Sequence, residues 1–530
     1  MENAWIAFAL GDVAWIAVAF VFGLLSRSIG LPPLVGYLAT GFLLNAYGNI
    51  SGDLLEKFSD LGITLLLFTV GLKLKLSTLA KPQVWAVTGL HTSIVVSVFG
   101  FAIYGVSLTG LALVSELDLM SSLLIGFALS FSSTAFVVKV LEEKGEETSV
   151  HGRIAVGVLI MQDILAVLFL AISMAAWPSI WSWLILLLIP LRPVLHQLLQ
   201  RAGHGELLVL YGFLLAVGGA QIFELVGLKG DLGALVLGLL IANHRKADEM
   251  AKTMLGFKDL FLLGFFLNIG LSGQPTLETF IAGALIAPFV FFKSALFYSL
   301  FTRFKLRART SLLASINLTN FSEFGLIVAA IGVSSGWIDN EWLIVIAIAM
   351  SLSLVVAAAL SATSHQLYTH HRNFWKRLQR EDLSADDQLL NIEGATVAVI
   401  GMGGVGTGVY DKMVELDGET VIGVDMDPMT VRNQCAEGRN VLIGDPGDAD
   451  FWDRIQATHT LELVMLALPK LTVTLSVLEQ LNETSFKGRI AATAKFPDEV
   501  EALKKAGATT VFNVHTEAGA GFAAHVVAQE

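Results

Sequence analysis

Long apolar runs recur along the first two-thirds of this chain, and they decide its class before any single residue does. About 20 apolar residues suffice for a helix to cross a bilayer, and fewer suffice where the helix is short or broken. Thirteen such runs can be read, at about 5–26, 33–48, 59–72, 84–107, 119–141, 153–176, 180–199, 206–226, 230–243, 257–272, 277–301, 310–333 and 342–363. The balance of residue types agrees: 54% of the 530 residues are hydrophobic and 15% are charged, as in membrane proteins. No basic segment precedes the first run, so it reads as a span rather than a cleaved signal peptide. With the N-terminus outside, the bases separate cleanly. Arg27, Lys73, Lys144, Arg192, Arg245 and the bases of 303–309 fall inside, leaving Lys57 and Lys229 outside, as the positive-inside rule requires.

The pattern changes after the last run. "HQLYTHHRNFWKRLQREDLSADDQ" turns from basic to acidic and reads as a juxtamembrane helix and linker, 365–393. From 394 onward, short β-rich runs such as "TVAVIG", "TVIGVD" and "ATTVFNV" alternate with helical ones, the signature of a parallel α/β domain. Residues 386–530 hold 22 Asp+Glu and 10 Lys+Arg, so the whole net charge of −12 lies there, which argues against nucleic-acid binding. The one cysteine, Cys435, excludes an intrachain disulfide. The division expected is a transmembrane domain 1–364, the linker, and a cytoplasmic domain 394–530.

Several residues stand out against this background. Asp163 lies inside the run "VLIMQDILAVLFLAI", with Gln162 beside it. An acid at mid-span costs about 2.5–3.5 kcal/mol on insertion scales and usually marks an ion or proton pathway. The alternative is a structural carboxylate paired with a base. Lys293 is the base near a span centre, with Asp163 or Glu323 as its expected partner. "ALSFSSTAFVV" places Ser132, Ser133 and Thr134 in mid-span, and "SINLTNFSEFGLIVAA" is similarly polar, with Glu323 at its turn back to apolar sequence. Hydroxyls can simply bond their own backbone. Two interrupted helices, one in each half of the bundle, instead suit inverted repeats with a cation site at the midplane. Val35-Gly36-Tyr37 has no filter-like flanks and is set aside as a channel signal. His244, His370 and His371 sit among cytoplasmic bases and read as solvated surface.

In the tail, "VAVIGMGGVGTGVYDKM" is a dinucleotide-type fingerprint spanning Gly401, Met402, Gly403, Gly404, Val405 and Gly406. Gly401 permits a tight turn, Gly403 lets a phosphate approach a helix N-terminus, and Gly406 allows helix–strand packing. Asp425 ends the next strand, placed for ribose hydroxyls. "GDPGD" puts Asp445 near where a base would lie.

Taken in order, "LPPLVGYLATGFLLNAYG", "LGITLLLFTVGLKL", "ALSFSSTAFVV", "MQDILAV", "GALVLGLLIAN" and "FFLNIGLSG", then "VIGMGGVGTGV", "VDMDP" and "GDPGDADFW", resemble a Kef-type monovalent cation:proton antiporter with a domain that regulates potassium conductance. The resemblance implies a polytopic α-helical membrane protein with two broken crossover helices, a Rossmann-like cytoplasmic domain, and a homodimer in the lipid of a bacterial inner membrane. It implies Gln162–Asp163 as the ion-binding pair, Asp163 carrying proton and K⁺ or Na⁺ in turn, Ser132, Ser133 and Thr134 at the helix crossover, and an elevator-like movement. It also implies AMP or a related adenine nucleotide, or NAD(H), at Gly401, Gly403, Gly406, Asp425 and Asp445, with no tightly bound metal and no enzymatic step. Two departures argue against gating by glutathione: the loop "NHRKADEMAKTMLGFKD" is more basic than in glutathione-gated members, and the chain stops at Glu530. The rival readings are a nucleotide-gated cation channel and a membrane-tethered NAD-dependent oxidoreductase.

Overall fold

A computed structural model describes all residues except 1, 29–31, 48–52, 74–80, 110–116, 174–187, 227–229, 243, 245, 272, 385–386, 388–393, 449–450, 453–459, 484–485 and 528–530. Lys75, Lys229, Arg245, the first part of the seventh apolar run and most of the linker's end therefore lie outside the described residues. The chain divides into two compact units. Unit 1 comprises Met1–Val137, Ile154–Phe304 and Ser311–Ser364, and unit 2 comprises Val138–Arg153, Lys305–Thr310 and His365–Glu530.

Each of the thirteen apolar ranges contains a helix or a pair of helices. In chain order these are α1 (Glu2–Ser28), α2 (Pro33–Ala46), α3 (Asp53–Lys73), α4 (Pro82–Ser107), α5 (Leu119–Ala128), α6 (Thr134–Lys144), α7 (Val150–Ser173), α8 (Leu188–Arg201), α9 (Glu206–Leu225), α10 (Gly230–Ile241), α11 (Ala247–Leu271), α12 (Leu277–Ile286), α13 (Phe289–Arg303), α14 (Ala308–Asn317), α15 (Glu323–Ser334) and α16 (Asn340–Ala362). Among the described residues, six helices are long and apolar enough to cross a membrane, and five shorter apolar helices accompany them. The outer surface of unit 1 is apolar in keeping: Phe101, Leu210, Leu214 and Leu285 are all more than half exposed. Where backbone meets backbone, side chains are absent. Gly41 and Gly270 face one another across α2 and α11, and a Cβ on Gly270 would sit 2.6 Å from Gly41 Cα, the small-residue contact of packed membrane helices.

The runs at 119–141 and 310–333 are each two helices parted by a non-helical break, whereas 277–301 forms one continuous span, Leu277–Arg303, that bends between α12 and α13. The bend falls at Ala287 and Pro288, both of which keep helical dihedrals; proline cannot donate the next helical hydrogen bond. Val35, Gly36 and Tyr37 lie inside the regular helix α2, not in an extended filter.

In unit 2, α17 (Ser364–Trp375) precedes a sheet built from β1 (Val397–Ile400), β2 (Val421–Asp425), β3 (Val441–Ile443), β4 (Leu463–Leu466), β5 (Arg489–Ala494) and β6 (Thr510–Asn513). The connecting helices are α18 (Gly404–Asp417), α19 (Pro428–Ala436), α20 (Leu471–Glu483) and α21 (Pro497–Lys505), and α22 (Val514–Val527) follows β6. All pairings are parallel, in the order β3-β2-β1-β4-β5-β6. Parallel strands are covered on both faces, so they read as continuous apolar runs: β1 is buried at all four positions. Strand order reverses between β1 and β4, and ligands bind in such sheets at the carboxyl ends of the strands flanking that point.

Candidate functional site

Unit 1 holds a buried polar centre where two helix breaks meet. The segments 129–133 and 318–322 separate α5 from α6 and α14 from α15. Serines offer the backbone local alternatives to helical bonding and favour N-caps. Here Ser133 Oγ accepts from Phe136 N at 3.3 Å and Ser322 Oγ accepts from Phe324 N at 3.2 Å, so each second half-helix starts on its own serine. The two breaks then bond each other. Ser132 Oγ donates to Leu318 O at 2.9 Å, and Asn320 Oδ1 accepts from Ser133 N at 2.6 Å.

Gln162 closes the first break from the side. Its Oε1 accepts from Ser132 N at 2.9 Å and its Nε2 donates to Ser130 O at 3.2 Å. One amide thus satisfies both a donor and an acceptor that the interrupted helix leaves open. Asp163, on the same helix, is 3% exposed. The Thr134 hydroxyl approaches both of its oxygens at 3.4 Å, long for an O–H···O bond. The structure therefore brings Ser132, Ser133, Thr134, Gln162 and Asp163 together.

Lys293 departs from expectation. It is fully buried, but its ammonium donates to Phe131 O at 2.7 Å and Asn320 O at 3.0 Å, one carbonyl from each break. It also lies over the Phe321 ring, 4.8 Å from the centroid. The expected carboxylate partner is replaced by main-chain dipoles, because broken helices leave carbonyls that need donors. Glu323 starts α15, buried, with the Ser322 hydroxyl 3.4 Å from Oε2. One residue is marked in the sequence without its role, and one is not marked at all. Asn320 ties both breaks together, and His91 of α4 stacks on Phe297 with ring centroids 3.5 Å apart. Asn320 reads from sequence only as one polar residue of the second interruption, because its bond to Ser133 lies 187 positions away, and His91 carries no local signal, since its partner is distant in sequence.

Unit 2 holds a second centre at the sheet's switch point. Gly401 takes φ +93°, which favours glycine, and a Cβ there would lie 2.7 Å from Ala467 O. A Cβ on Gly406 would strike Gly401 O, so glycine lets α18 pack on the turn. Gly403 faces open space. Asp425 Oδ2 accepts from Met402 N at 2.7 Å and Oδ1 accepts from Asp427 N at 2.9 Å. A cavity of about 580 Å³ opens over these residues, lined by Gly401, Gly403, Gly404, Val405 and Asp425, and reaching Lys495 and His515 beyond β5 and β6.

Asp445 is not part of that lining. Its carboxylate accepts from Arg309 Nη1 at 2.7 Å and from Gly447 N at 2.9 Å. Beside it, Asp448 accepts from Arg307 Nη1 at 2.6 Å. Burial pushes both carboxyls up, and the guanidinium of Arg309, joined at Asp448 by Arg307, more than offsets it, holding both below the usual aspartate value. Burial would lower the pKa of Arg309, but these carboxylates raise it. Asp387 accepts from Arg307 N and the Thr310 hydroxyl, both at 2.7 Å, yet burial leaves its carboxyl raised. Nearby, Glu146 accepts from His365 at 2.6 Å and contacts His151 at 3.0 Å. Burial raises that carboxyl and the two histidines hold it well below the usual range. His370 and His371 are exposed. Arg307, Arg309 and Asp448 read from sequence only as bulk charge, because nothing local in "LRAR" predicts pairing with residues 136 or more positions away.

The family described as sodium/hydrogen exchanger, transmembrane, matches residues 16–362, and the TrkA-N domain matches residues 397–514. The glutathione-regulated potassium-efflux system protein KefC of Cronobacter sakazakii is 25% identical over 90% of this chain and 78% of its own length. The chloroplastic K⁺ efflux antiporter 2 of Arabidopsis thaliana is 26% identical over 98% of this chain and 46% of its own. The solved sodium proton antiporter MjNhaP1 of Methanocaldococcus jannaschii is 14% identical, covers 70% of this chain and 99% of its own, and has a TM-score of 0.49. Because the transmembrane match extends over well more than half of its length, the protein belongs to the sodium/hydrogen exchanger family, with a TrkA-N domain following the membrane part.

Proposed function

We propose that this protein exchanges K⁺ or Na⁺ for protons across the bacterial inner membrane, with Asp163 binding one or the other in turn. The observation that carries the reading is a buried carboxylate at the meeting point of two helix breaks, with a hydroxyl facing both oxygens. Oxygen donors of this kind, with carbonyls freed from helical bonding, suit a dehydrated monovalent cation. Gln162 adds hydrogen bonds without charge, so one carboxylate takes one proton or one cation, and the simplest exchange is one for one and electroneutral. Lys293, carbonyl-bound, holds the breaks together. Glu323 supports the start of α15. The membrane part is read as thirteen spans with the N-terminus outside, arranged as inverted repeats and working as a homodimer by an elevator-like movement. An adenine nucleotide, AMP or NAD(H), bound at Gly401, Gly403, Gly406 and Asp425, regulates transport; Asp445 serves the Arg309 pair instead of the nucleotide. Potassium efflux in the names of two relatives supports K⁺ as a cargo.

The test is cation-dependent proton flux in proteoliposomes, wild type beside Asp163→Asn, with K⁺ and Na⁺ supplied separately. Flux in the wild type that falls to the protein-free background in the variant supports exchange at Asp163, and the faster cation names the cargo. Undiminished flux in Asp163→Asn moves the site elsewhere. Flux that follows membrane potential under matched gradients overturns one-for-one exchange.

A further inference from the structure

The cavity over the glycine fingerprint has a wall that the nucleotide fold does not supply. Gly145, Glu147 and Thr148 line it together with Gly403, Gly404 and Asp425. These three residues belong to the short turn between α6 and α7, far earlier in the chain, yet they are part of the same compact unit as the sheet. The turn is fastened there at several points. Gly145 takes φ +69°, and a Cβ on it would lie 2.9 Å from Val473 Cγ2 of α20. Lys470 Nζ donates to Glu142 O. Arg153 Nη1 donates to Thr148 O, and also to Met426 O at 3.5 Å just past β2. Within the turn, Ser149 Oγ donates to Glu146 O at 2.7 Å and accepts from Gly152 N at 3.0 Å, so the turn is a built element rather than a loose edge.

We infer that the turn 145–148 is part of the nucleotide site, so that a bound adenine nucleotide touches both the fingerprint and this turn. The inference rests on the reading that a nucleotide occupies the fingerprint cavity. It adds a route for regulation of the ion site. The turn is the covalent link between α6, which begins at Thr134, and α7, which carries Asp163. At about 1.5 Å of rise per residue, Thr134 stands about 16 Å from the turn along α6 and Asp163 about 20 Å along α7. Packed helices move as rigid rods between discrete arrangements. An occupant that displaces or pins the turn therefore acts on both helices that bring a hydroxyl and a carboxylate together, without contacting either residue.

The experiment uses the full-length protein with Cys435, its one cysteine, changed to Ser. Glu147→Cys places a thiol on the exposed wall of the cavity, and Glu143→Cys, also exposed but not among the lining residues, serves as the control. Maleimide labelling is timed with and without AMP or NADH, and binding is followed independently by the thermal shift of the same samples. At a ligand concentration about ten times Kd roughly one site in ten is free, so labelling of the Glu147→Cys variant should slow roughly tenfold while labelling of the Glu143→Cys variant is unaffected. Gly403→Asp, added to either, should abolish both the protection and the thermal shift. A thermal shift from AMP or NADH with unchanged labelling of Glu147→Cys overturns the inference and leaves the nucleotide reading standing. Protection that survives Gly403→Asp also overturns it, because the ligand then sits elsewhere. If neither AMP nor NADH binds, both fall. Thr148→Cys repeats the measurement should Glu147→Cys fail to fold.

Discussion

Two buried charge clusters among the described residues, one in each unit, are wired in opposite ways. In unit 1 the ammonium of Lys293 directs its hydrogen bonds to two main-chain carbonyls, and Asp163 has the Thr134 hydroxyl at 3.4 Å from both oxygens. In unit 2 guanidinium meets carboxylate directly, Arg307 on Asp448 at 2.6 Å and Arg309 on Asp445 at 2.7 Å. The difference matches what each cluster has to do under the proposed function. A carboxylate held by a guanidinium is fixed in its ionised form, which suits a permanent joint. A carboxylate that must alternate between proton and cation needs neighbours that tolerate both states, and dipoles and hydroxyls do.

Four measurements break or sharpen that contrast. The largest effect belongs to Arg309→Ala, which strips a buried partner from Asp445 and Asp448. Removing one member of a buried pair costs about 3–5 kcal/mol, read as a drop in thermal stability and faster proteolysis of unit 2 with antiport-competent unit 1 still folded. A change no larger than that of Arg439→Ala would erase the distinction. Next comes Lys293→Met, which leaves Phe131 O and Asn320 O without their donor. Each buried acceptor so orphaned costs about 1–3 kcal/mol. Lys293→Gln, which can still donate, should recover part of the loss in the same unfolding assay. If Asp163→Asn rescues Lys293→Met, the lysine is a counter-charge after all and the carbonyl reading fails.

The third is a pH dependence. Asp445 and Asp448 are both held below the aspartate value of 3.8 in the folded chain. Their contribution is thus present above 3.8 and is lost as pH falls through the lower folded values. Unit 2 should keep its protection from proteases down to about pH 4 and lose it below, and Asp448→Asn should flatten that acid limb. The smallest effect is the exposed pairing of Arg439 with Asp411, at 2.6 Å on the surface of the sheet unit. Arg439→Ala should leave the unfolding transition where it is, since solvent and salt screen exposed pairs.

How much of this is readable from residues alone differs between the two units as well. The glycine fingerprint, the parallel strands and the serine-rich interruptions announce themselves locally, because backbone geometry and capping depend on neighbours a few positions away. "GMGGVG" with an acid at the next strand's end has the local marks of a Rossmann turn. The partner of Lys293 is misjudged from sequence because charge is weighed against charge. The free carbonyls of 131 and 320 appear only once two distant breaks are brought together. Asp445 reads as a contact for a nucleotide base for a similar reason: its place at a strand end is a local fact, whereas its bond to Arg309 is not. The bend at Pro288 is legible but easily passed over, since an apolar run outweighs a single proline.

Unit 2 is also discontinuous along the chain, and that sets an order of assembly. During synthesis the segments Val138–Arg153 and Lys305–Thr310 are made well before residues 441–448, and domains generally fold from the N-terminal side as they emerge. Arg309 is therefore in place before its carboxylates exist. The end of β3 can complete itself only if both earlier segments were delivered to the same side of the membrane. Under the multi-pass reading, a chain inserted with the 305–310 segment on the wrong side is expected to leave Asp445 and Asp448 without Arg307 and Arg309, an unfinished joint that limited proteolysis would detect.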